Sequence, residues 1–249
     1  MTIIAFYNIK GGVGKTSTAV NISYLSSREN LRTLLIDLDP QGSASFYFRI
    51  RPRKNFKTNK FLQGGQSIEN NIRGTDYPHL DLLPSHISFG KLDIGLHKFK
   101  QSKSRLKTIL QPIRREYDVI VMDCPPNITL LSENVFRAAD AVIVPTIPTP
   151  LSIMTYKKLM KFFKRQQLDD SKIFTFFSMV EQRKTIHKES VQTIGKKDPH
   201  FLKSTIPYSA EVEKMGVYRE PLFRYSPRSF AAIAYEGLWQ EINSRILKS

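Results

Sequence analysis

A run of glycines and lysines near the N-terminus constrains this chain more than any other feature. It reads K-G-G-V-G-K-T-S from Lys10 to Ser17 and follows the apolar residues 3–6. An apolar strand that breaks into glycines and then into helix-compatible sequence is the layout of a strand, a phosphate-binding loop and a helix. Glycine lacks a Cβ, so its backbone can take positive φ values and direct successive N–H groups at one anion. The run therefore predicts a phosphate-binding loop.

The side chains of this run have separate expected roles. Lys15 adds a point charge beside the β- and γ-phosphates, and the Thr16 hydroxyl is suited to ligate magnesium at the helix N-terminus. We expect nucleotide contacts from all eight residues of the run: Lys10, Gly11, Gly12, Val13, Gly14, Lys15, Thr16 and Ser17. The run departs from the ordinary G-x-x-x-x-G-K-[ST] pattern, because Ile9 occupies the position of the first glycine and a second lysine, Lys10, follows it.

Two further apolar segments end in carboxylates. Residues 33–42 read T-L-L-I-D-L-D-P-Q-G and carry Asp37 and Asp39, whereas residues 117–126 read Y-D-V-I-V-M-D-C-P-P and carry Asp123. Open parallel sheets bind ligands outside the carboxyl ends of their strands. We therefore expect the three aspartates to lie beside the phosphate-binding loop.

These three motifs, in this order, resemble those of the ParA/MinD family of deviant Walker ATPases. The resemblance covers nearly the whole chain apart from residues 49–66. It implies slow ATP hydrolysis with ATP and Mg²⁺ as cofactors, stimulated by a cargo-bound protein. In that family the early lysine, here Lys10, reaches the nucleotide of the partner subunit in a homodimer that ATP assembles.

The resemblance also assigns roles to individual residues. It implies that Lys10, Lys15 and Asp39 are catalytic, with Asp39 aligned with the attacking water, and that Asp37 and Asp123 lie with Thr16 near magnesium. By position in the I-P-x-S-x-x-V element of related sequences, the adenine contacts are Pro207 and Tyr208. Lys214 and Met215 replace the alanine and proline that usually follow this element.

Strand-like and helix-like segments alternate along the sequence, which predicts an α/β fold with one doubly wound, mostly parallel sheet and helices on both faces. We expect a single domain over residues 1–249. Helices are expected at 17–28, 130–139, 152–166 and 229–247, and residues 86–110 alternate apolar and basic side chains as a surface helix would. Residues 49–66 show no clean period and predict a mobile basic loop or a short helix.

The charge of the chain is strongly positive and unevenly distributed. Lysine and arginine total 38 against 22 acidic residues, and residues 49–66 hold six basic groups and no acid. Such a field favours a polyanion such as nucleic acid or an anionic membrane, although solvated surface lysine is the plainer alternative. We expect DNA to bind without sequence preference through C-terminal cations, namely Arg183, Lys184, Lys188, Arg219, Arg224 and Arg228.

Rival members of the resembled family fit the sequence less well. A MinD-like membrane cycler needs an amphipathic helix beyond the last core helix, whereas the apolar stripe of Leu238, Trp239, Ile242 and Ile246 is expected to face the core. Relatives that carry metal clusters need paired cysteines, and Cys124 is the single cysteine, which we expect to be buried and not catalytic. We therefore expect a cytoplasmic, nucleoid-associated protein with no stable membrane anchor. Its cargo stays open among plasmid, chromosome, chemoreceptor array and protein microcompartment.

Overall fold

Eight strands form one sheet through the centre of the computed structural model, which describes residues 1–248. The strands are β1 (Thr2–Phe6), β2 (Thr33–Asp37), β3 (Arg73–Gly74), β4 (Leu80–Leu83), β5 (Val119–Asp123), β6 (Ala141–Thr146), β7 (Ile173–Val180) and β8 (Phe201–Pro207). Their order across the sheet is β3-β4-β2-β5-β1-β6-β7-β8, and every neighbouring pair is parallel except β3 and β4. The predicted doubly wound, mostly parallel sheet is confirmed.

The strand register explains why three sequence motifs meet at one edge. Asp37, the last residue of β2, pairs directly with Asp123, the last residue of β5. Asp123 also pairs with Phe6, the last residue of β1, after which the glycine run begins. Parallel strands end at the same side of a sheet, so the run and both aspartates converge on that side.

Helices cover both faces of the sheet. They are α1 (Lys15–Arg28), α2 (Ser43–Tyr47), α3 (Thr58–Gln63), α4 (Gln66–Glu69), α5 (Leu92–Leu96), α6 (Arg105–Leu110), α7 (Leu130–Ala138), α8 (Pro150–Arg165), α9 (Thr185–Lys197), α10 (Ala210–Glu213), α11 (Met215–Tyr218) and α12 (Phe230–Ile242). Two apolar clusters fill the layers. One joins α1 and α12 to the sheet, and the other joins α3, α5, α6, α7 and α8 to its opposite face.

The prediction of one surface helix over residues 86–110 is wrong. The segment is a 3₁₀ turn at Ile87–Lys91 followed by the short helices α5 and α6. Most of its apolar side chains are buried, including Phe89, Leu92 and Leu106, although Ile87 and Ile94 are exposed, so the segment packs into the core and is not a surface helix. The Asn134 side chain of α7 accepts a hydrogen bond from the Leu106 N–H at 3.0 Å. This bond gives a partner to one of the free N–H groups in the first turn of α6, so the helix can begin there.

Residues 49–66 contain a short helix, α3, which confirms one of the two predicted alternatives. Two phenylalanines from this segment, Phe56 and Phe61, are buried and contact Phe89 edge-on or tilted. This aromatic cluster anchors the segment to the core. The cations between the aromatic residues remain on the surface.

The remaining helices differ from expectation mainly at their ends. The helix α1 begins at Lys15, two residues earlier than predicted, and α8 begins at Pro150. The helical spacing of residues 152–166 predicts that Met154, Leu159, Met160 and Phe163 face the core. Met154 is instead 43% exposed, because it lies in the first turns of α8, where Ser152 contacts Lys10 of the glycine run.

The C-terminal stripe faces the core, as predicted. Leu238, Trp239 and Ile242 are buried against α1 and β8, and Ile246 is partly buried against the same cluster. The helix α12 ends at Ile242 and is followed by one π-helical turn, Asn243–Leu247. Over residues 1–248, no helix is both long enough and apolar enough to cross a membrane.

Candidate nucleotide site

The glycine loop has the backbone geometry that phosphate binding requires. Gly12 and Gly14 adopt φ values of 69° and 86°, which a residue with a Cβ rarely takes. The buried Asn8 fixes the start of the loop: its side chain donates to the Pro145 carbonyl at 2.8 Å and accepts from the Lys10 N–H at 2.8 Å. The loop is therefore tied to the end of β6 before its first glycine.

The far side of the loop is tied to β7. The Ser178 hydroxyl donates to the Val13 carbonyl at 2.7 Å. Sequence reasoning missed both Asn8 and Ser178. The signal for Asn8 was a polar residue between an apolar strand and the glycines, whereas Ser178 lies in a different strand, and no local pattern identifies it.

Lys15 is a buried cation beneath this loop. Only 7% of the residue is exposed, and its Nζ donates to the Lys10 carbonyl at 3.2 Å. Burial lowers its pKa, while the negative charges of Asp123 and Asp39 act in the opposite direction. A lysine held this way is suited to pair with phosphate oxygens, which would replace the weak backbone acceptor.

Asp123 is the carboxylate of this edge best suited to meet a cation. It is fully buried, and neither carboxylate oxygen receives a hydrogen bond of ordinary geometry from residues 1–248, although the Thr16 hydroxyl is near enough to favour the ionised form. Burial, and then the charge of neighbouring Asp37, raises the pKa of Asp123. Buried carboxylates without partners are costly, so this arrangement calls for a positive ligand.

Asp37 differs from Asp123 because it has protein partners. Its Oδ2 accepts from both the N–H and the hydroxyl of Ser45, at 2.8 and 2.7 Å, and its Oδ1 accepts from the Asp39 N–H at 3.3 Å. Burial raises its pKa, and the Ser45 hydrogen bonds oppose the shift. Sequence reasoning missed Ser45, which orients this carboxylate towards β5.

These residues fit a magnesium ion that a nucleotide brings with it. Magnesium is usually held by one or two carboxylates together with substrate phosphates and water. Thr16, Asp37 and Asp123 supply such a donor set of oxygens. In the described part of the chain, no cluster of three His, Cys, Asp or Glu side chains forms a self-contained metal site.

Ser17 has a different environment from Thr16. Its hydroxyl donates to the Gly14 carbonyl at 3.2 Å, and the Tyr235 hydroxyl lies 3.5 Å away. These contacts stabilise the first turn of α1 against α12.

Asp39 lies at the open side of the same edge. Its carboxylate accepts from the Gln41 N–H at 2.9 Å, and its backbone carbonyl accepts from the Ser85 hydroxyl at 2.6 Å. The residue is only partly buried. Asp39 therefore has a fixed backbone and a carboxylate that water can reach.

Lys10 points away from the loop that it opens. Its Nζ donates to the Ser152 hydroxyl of α8 at 3.3 Å. Two apolar side chains that flank Ser152 on α8 are exposed, Leu151 at 58% and Met154 at 43%, and Ile128, five residues beyond Asp123, is 41% exposed. The start of α8 therefore combines a contact to the Lys10 cation with uncovered apolar surface.

The two candidate adenine residues line one cavity of about 560 Å³. Pro207 and Tyr208 form one wall at the end of β8, and Val180 and Gln182 at the end of β7 form another. The Tyr208 N–H donates to the Val180 carbonyl at 3.0 Å, which joins the two walls. Since Val180 is two residues beyond Ser178, the cavity adjoins the glycine loop.

The six C-terminal cations fall into two groups. Arg183, Lys184 and Lys188 lie around the start of α9, on the face opposite α1. Arg219 donates to the Phe46 carbonyl at 3.1 Å and covers the Phe46 ring, and Arg224 lies over the Tyr77 ring.

The sixth cation, Arg228, is exposed just before α12. The chain by itself therefore does not bring all six groups to one surface.

Comparison with known proteins gives the same assignment as this geometry. A family model described as an AAA domain, AAA_31, matches residues 1–176. The chromosome partitioning protein ParA of Caulobacter vibrioides is 28% identical over 258 residues, which cover 98% of this chain and 95% of that protein.

Solved structures show the same likeness. A putative plasmid partition protein from Borrelia burgdorferi, bound to AMPPNP, superposes with a TM-score of 0.86 and 25% identity, covering 98% of this chain and 99% of that one. A cobyrinic acid a,c-diamide synthase from Mycobacterium smegmatis, solved with an ATP analogue and magnesium, superposes with a TM-score of 0.79 and 25% identity. The match covers 96% of this chain and 93% of that one. The chain therefore belongs to the AAA_31 family and is a P-loop ATPase related to ParA.

Proposed function

We propose that this ATPase binds ATP and Mg²⁺ at the glycine loop, dimerises on binding, and in that state holds DNA without sequence preference while it positions a cargo. The observation that carries the proposal is the combination of a complete phosphate site with a second lysine, Lys10, whose Nζ lies 3.3 Å from the Ser152 hydroxyl of α8 and not on the loop.

The dimer proposal is further supported by exposed apolar side chains. Leu151 and Met154 flank Ser152, which contacts Lys10, and Ile128 follows β5, whose last residue is Asp123; all three are more than 40% exposed. Apolar surface beside a charged site favours association with a second copy of the chain. In such a dimer, Lys10 of the partner subunit would contact the γ-phosphate.

Hydrolysis would follow the general route of phosphoryl transfer. Water attacks the γ-phosphate in line, and the charge that develops on the equatorial oxygens is stabilised by Lys15 and by Lys10 of the partner subunit. Asp39 would orient the water, since its carboxylate is accessible and its backbone is fixed by Ser85. Magnesium, held from the side of Thr16, Asp37 and Asp123, would supply charge neutralisation of the phosphates.

Function in partition or positioning is proposed from the relatives. The Caulobacter relative is named a chromosome partitioning protein and the Borrelia structure a putative plasmid partition protein. We propose a cargo-bound protein as the stimulator of hydrolysis and the nucleoid of the cytoplasm as the place of action. A MinD-like membrane cycle is not favoured, because the C-terminal stripe is buried in the core.

The proposal is tested by measuring DNA retention in three nucleotide states. Fluorescence anisotropy with a labelled duplex should show binding with ATP, and much weaker binding with ADP or without nucleotide. The same protein should bind two duplexes of unrelated sequence equally well. Retention that is indifferent to ATP would contradict the proposal, and ATP-dependent binding to anionic vesicles in place of DNA would favour the membrane cycle.

A further inference from the structure

A polar cavity of about 510 Å³ lies between α3 and α4, away from the glycine loop. It is lined by three cations, Arg53, Lys54 and Lys60, and by amide and hydroxyl side chains that include Gln63, Ser67 and Asn71, with no acidic residue. Its size is within the range of small-ligand sites. The lining is that of a site for an anion.

The three cations of this cavity are unused within the protein. Across residues 1–248, the side chains of Arg53, Lys54 and Lys60 form no ion pair or hydrogen bond. Other cations of the same region are engaged, since Arg49 pairs with Asp76 and Arg105 donates to the Leu62 carbonyl. Three neighbouring unpaired cations repel one another, and an anionic ligand would remove that repulsion.

The floor of the cavity is rigid and carries an unsatisfied acceptor. Phe56 is 1% exposed and locked in the aromatic cluster, so the cavity does not depend on a loose loop. Asn71 lines the cavity with 9% of its surface exposed, and its Oδ1 has no hydrogen-bond partner in the described chain; as an acceptor, this oxygen would need a bridging water or a P–OH group to meet a phosphate. Its Nδ2 donates to the Ser67 carbonyl at 2.8 Å, which fixes the amide against the cavity.

Hydrogen bonds, interrupted by the peptide link between Ser85 and His86, connect the segment that carries this cavity to the aspartates of the nucleotide site. At the cavity end, the Thr58 N–H donates to the Ser88 hydroxyl at 3.0 Å, and the Thr58 hydroxyl donates to the Ser88 carbonyl. The Ser88 hydroxyl is also 2.9 Å from His86 Nδ1.

Ser85, on the other side of this peptide link, continues the connection. Its hydroxyl donates to the Asp39 carbonyl at 2.6 Å, and its N–H donates to the Ser45 hydroxyl at 2.9 Å. Ser45 in turn holds Asp37.

We propose that this cavity is a second phosphate-binding site, whose occupancy alters ATP hydrolysis through residues 85–88. The ligand chemistry is a phosphate group, because lysine, arginine and amide side chains are the usual partners of phosphate oxygens. That phosphate could belong to DNA or to a small phosphorylated molecule. The inference goes beyond the proposed function, since the ligand would bind outside both the nucleotide site and the C-terminal cations and would act on hydrolysis from a distance.

Binding is tested on the full chain saturated with AMPPNP and Mg²⁺, so that the glycine loop is occupied. Labelled duplex DNA and inorganic pyrophosphate are titrated separately, with anisotropy and amide NMR shifts as readouts. The variant R53Q/K54Q/K60Q should bind at least one probe about 10-fold more weakly, with a salt slope flatter by about one unit or more for DNA. The probe that responds identifies the source of the phosphate.

The control variant is K161Q/K164Q/R165Q, which removes the same side-chain types from exposed positions on α8. It should stay within about 2-fold of the wild-type affinity, because long-range charge alone has a small effect at physiological salt. Equal weakening in both variants, or no weakening of either probe in R53Q/K54Q/K60Q, would overturn the site. Either result leaves nucleotide binding and dimerisation, and hence the proposed function, untouched.

Communication with the nucleotide site is tested with the variant Ser88→Ala. The responding probe should change the steady-state ATPase rate of the wild-type protein about 2-fold or more, and Ser88→Ala should bind it with unchanged affinity but lose most of the rate change. A wild-type rate that ignores the bound probe, or a variant that responds as the wild type does, would overturn the coupling.

Discussion

The glycine-loop edge and the α3–α4 cavity both collect charge, but they do so in opposite ways. At the glycine loop Asp37 and Asp123 are buried at the ends of parallel strands, and Lys15 is buried at the start of α1. At the cavity Arg53, Lys54 and Lys60 are exposed on short elements. The interaction energy of a buried charge depends strongly on each partner group, whereas the interactions of exposed cations are screened by solvent and salt. We therefore expect large effects from single substitutions at the loop and small, cumulative effects from surface cations.

The largest effect is expected from Lys15→Ala. It removes the buried cation of a site built for several phosphate charges, so ATP binding should be lost. Fluorescent-nucleotide binding measures this directly, and Lys161→Ala, a change to an exposed lysine of α8, is the matched control. ATP affinity in Lys15→Ala close to that of the control would show that the site lies elsewhere.

The two aspartates of the edge should separate binding from chemistry. Asp39→Ala should bind ATP and Mg²⁺, hydrolyse on the order of 10²-fold more slowly and accumulate as a stable dimer, because only the orientation of water is lost. Asp123→Ala should weaken magnesium-dependent binding, since it removes the unpartnered buried carboxylate. Nucleotide titrations with and without Mg²⁺ distinguish the two roles. Equal loss of nucleotide affinity in both variants would show that the roles are assigned wrongly.

Surface cations should act in smaller steps. If a DNA complex of the dimer neutralises about six phosphates, its log affinity should fall against log salt with a slope near −5, and each cation removed per subunit should flatten it by about two units. The two groups of C-terminal cations are tested separately, as R219Q/R224Q/R228Q and as R183Q/K184Q/K188Q. A flatter salt dependence in one variant alone identifies the DNA-binding side of the protein. An unchanged slope in both variants would show that these residues do not contact DNA phosphates.

The smallest effect is expected at an exposed ion pair. The Arg32 guanidinium donates to Asp118 at 2.8 Å, and this hydrogen bond lowers the pKa of Asp118 to about 2. A lowered pKa in the folded state stabilises the protein above the unfolded value of about 4, and the contribution disappears as pH falls through about 2. Arg32→Gln should lower the urea midpoint slightly at pH 7 and hardly at pH 2. A difference that grows with acid would contradict this sign.

Local sequence patterns were sufficient where one strand or one loop determined the outcome. The glycine run, the strand ends at Asp37 and Asp123 and the buried Cys124 are as predicted, because apolar runs and glycines constrain the backbone locally. The prediction that Met154 faces the core was wrong, because helical spacing does not show which turns of a helix pack on the sheet.

Contacts between distant segments were not predictable in the same way. Ser45, Ser85 and Ser178 are ordinary serines in sequence, and only the packing of β2, β4 and β7 brings them to the nucleotide site. The prediction for residues 86–110 was wrong for a related reason, since the Asn134 side chain of α7 binds the backbone of Ser102 and Leu106 at the start of α6.

The central claim is that ATP joins two copies of this chain through Lys10, and the molar mass in solution tests it most directly. Light scattering should give the monomer mass without nucleotide and the dimer mass with ATP for Asp39→Ala, which hydrolyses slowly. Adding Lys10→Ala to that background should leave ATP binding nearly intact and return the mass to that of the monomer. A double variant that still dimerises with ATP would contradict the account.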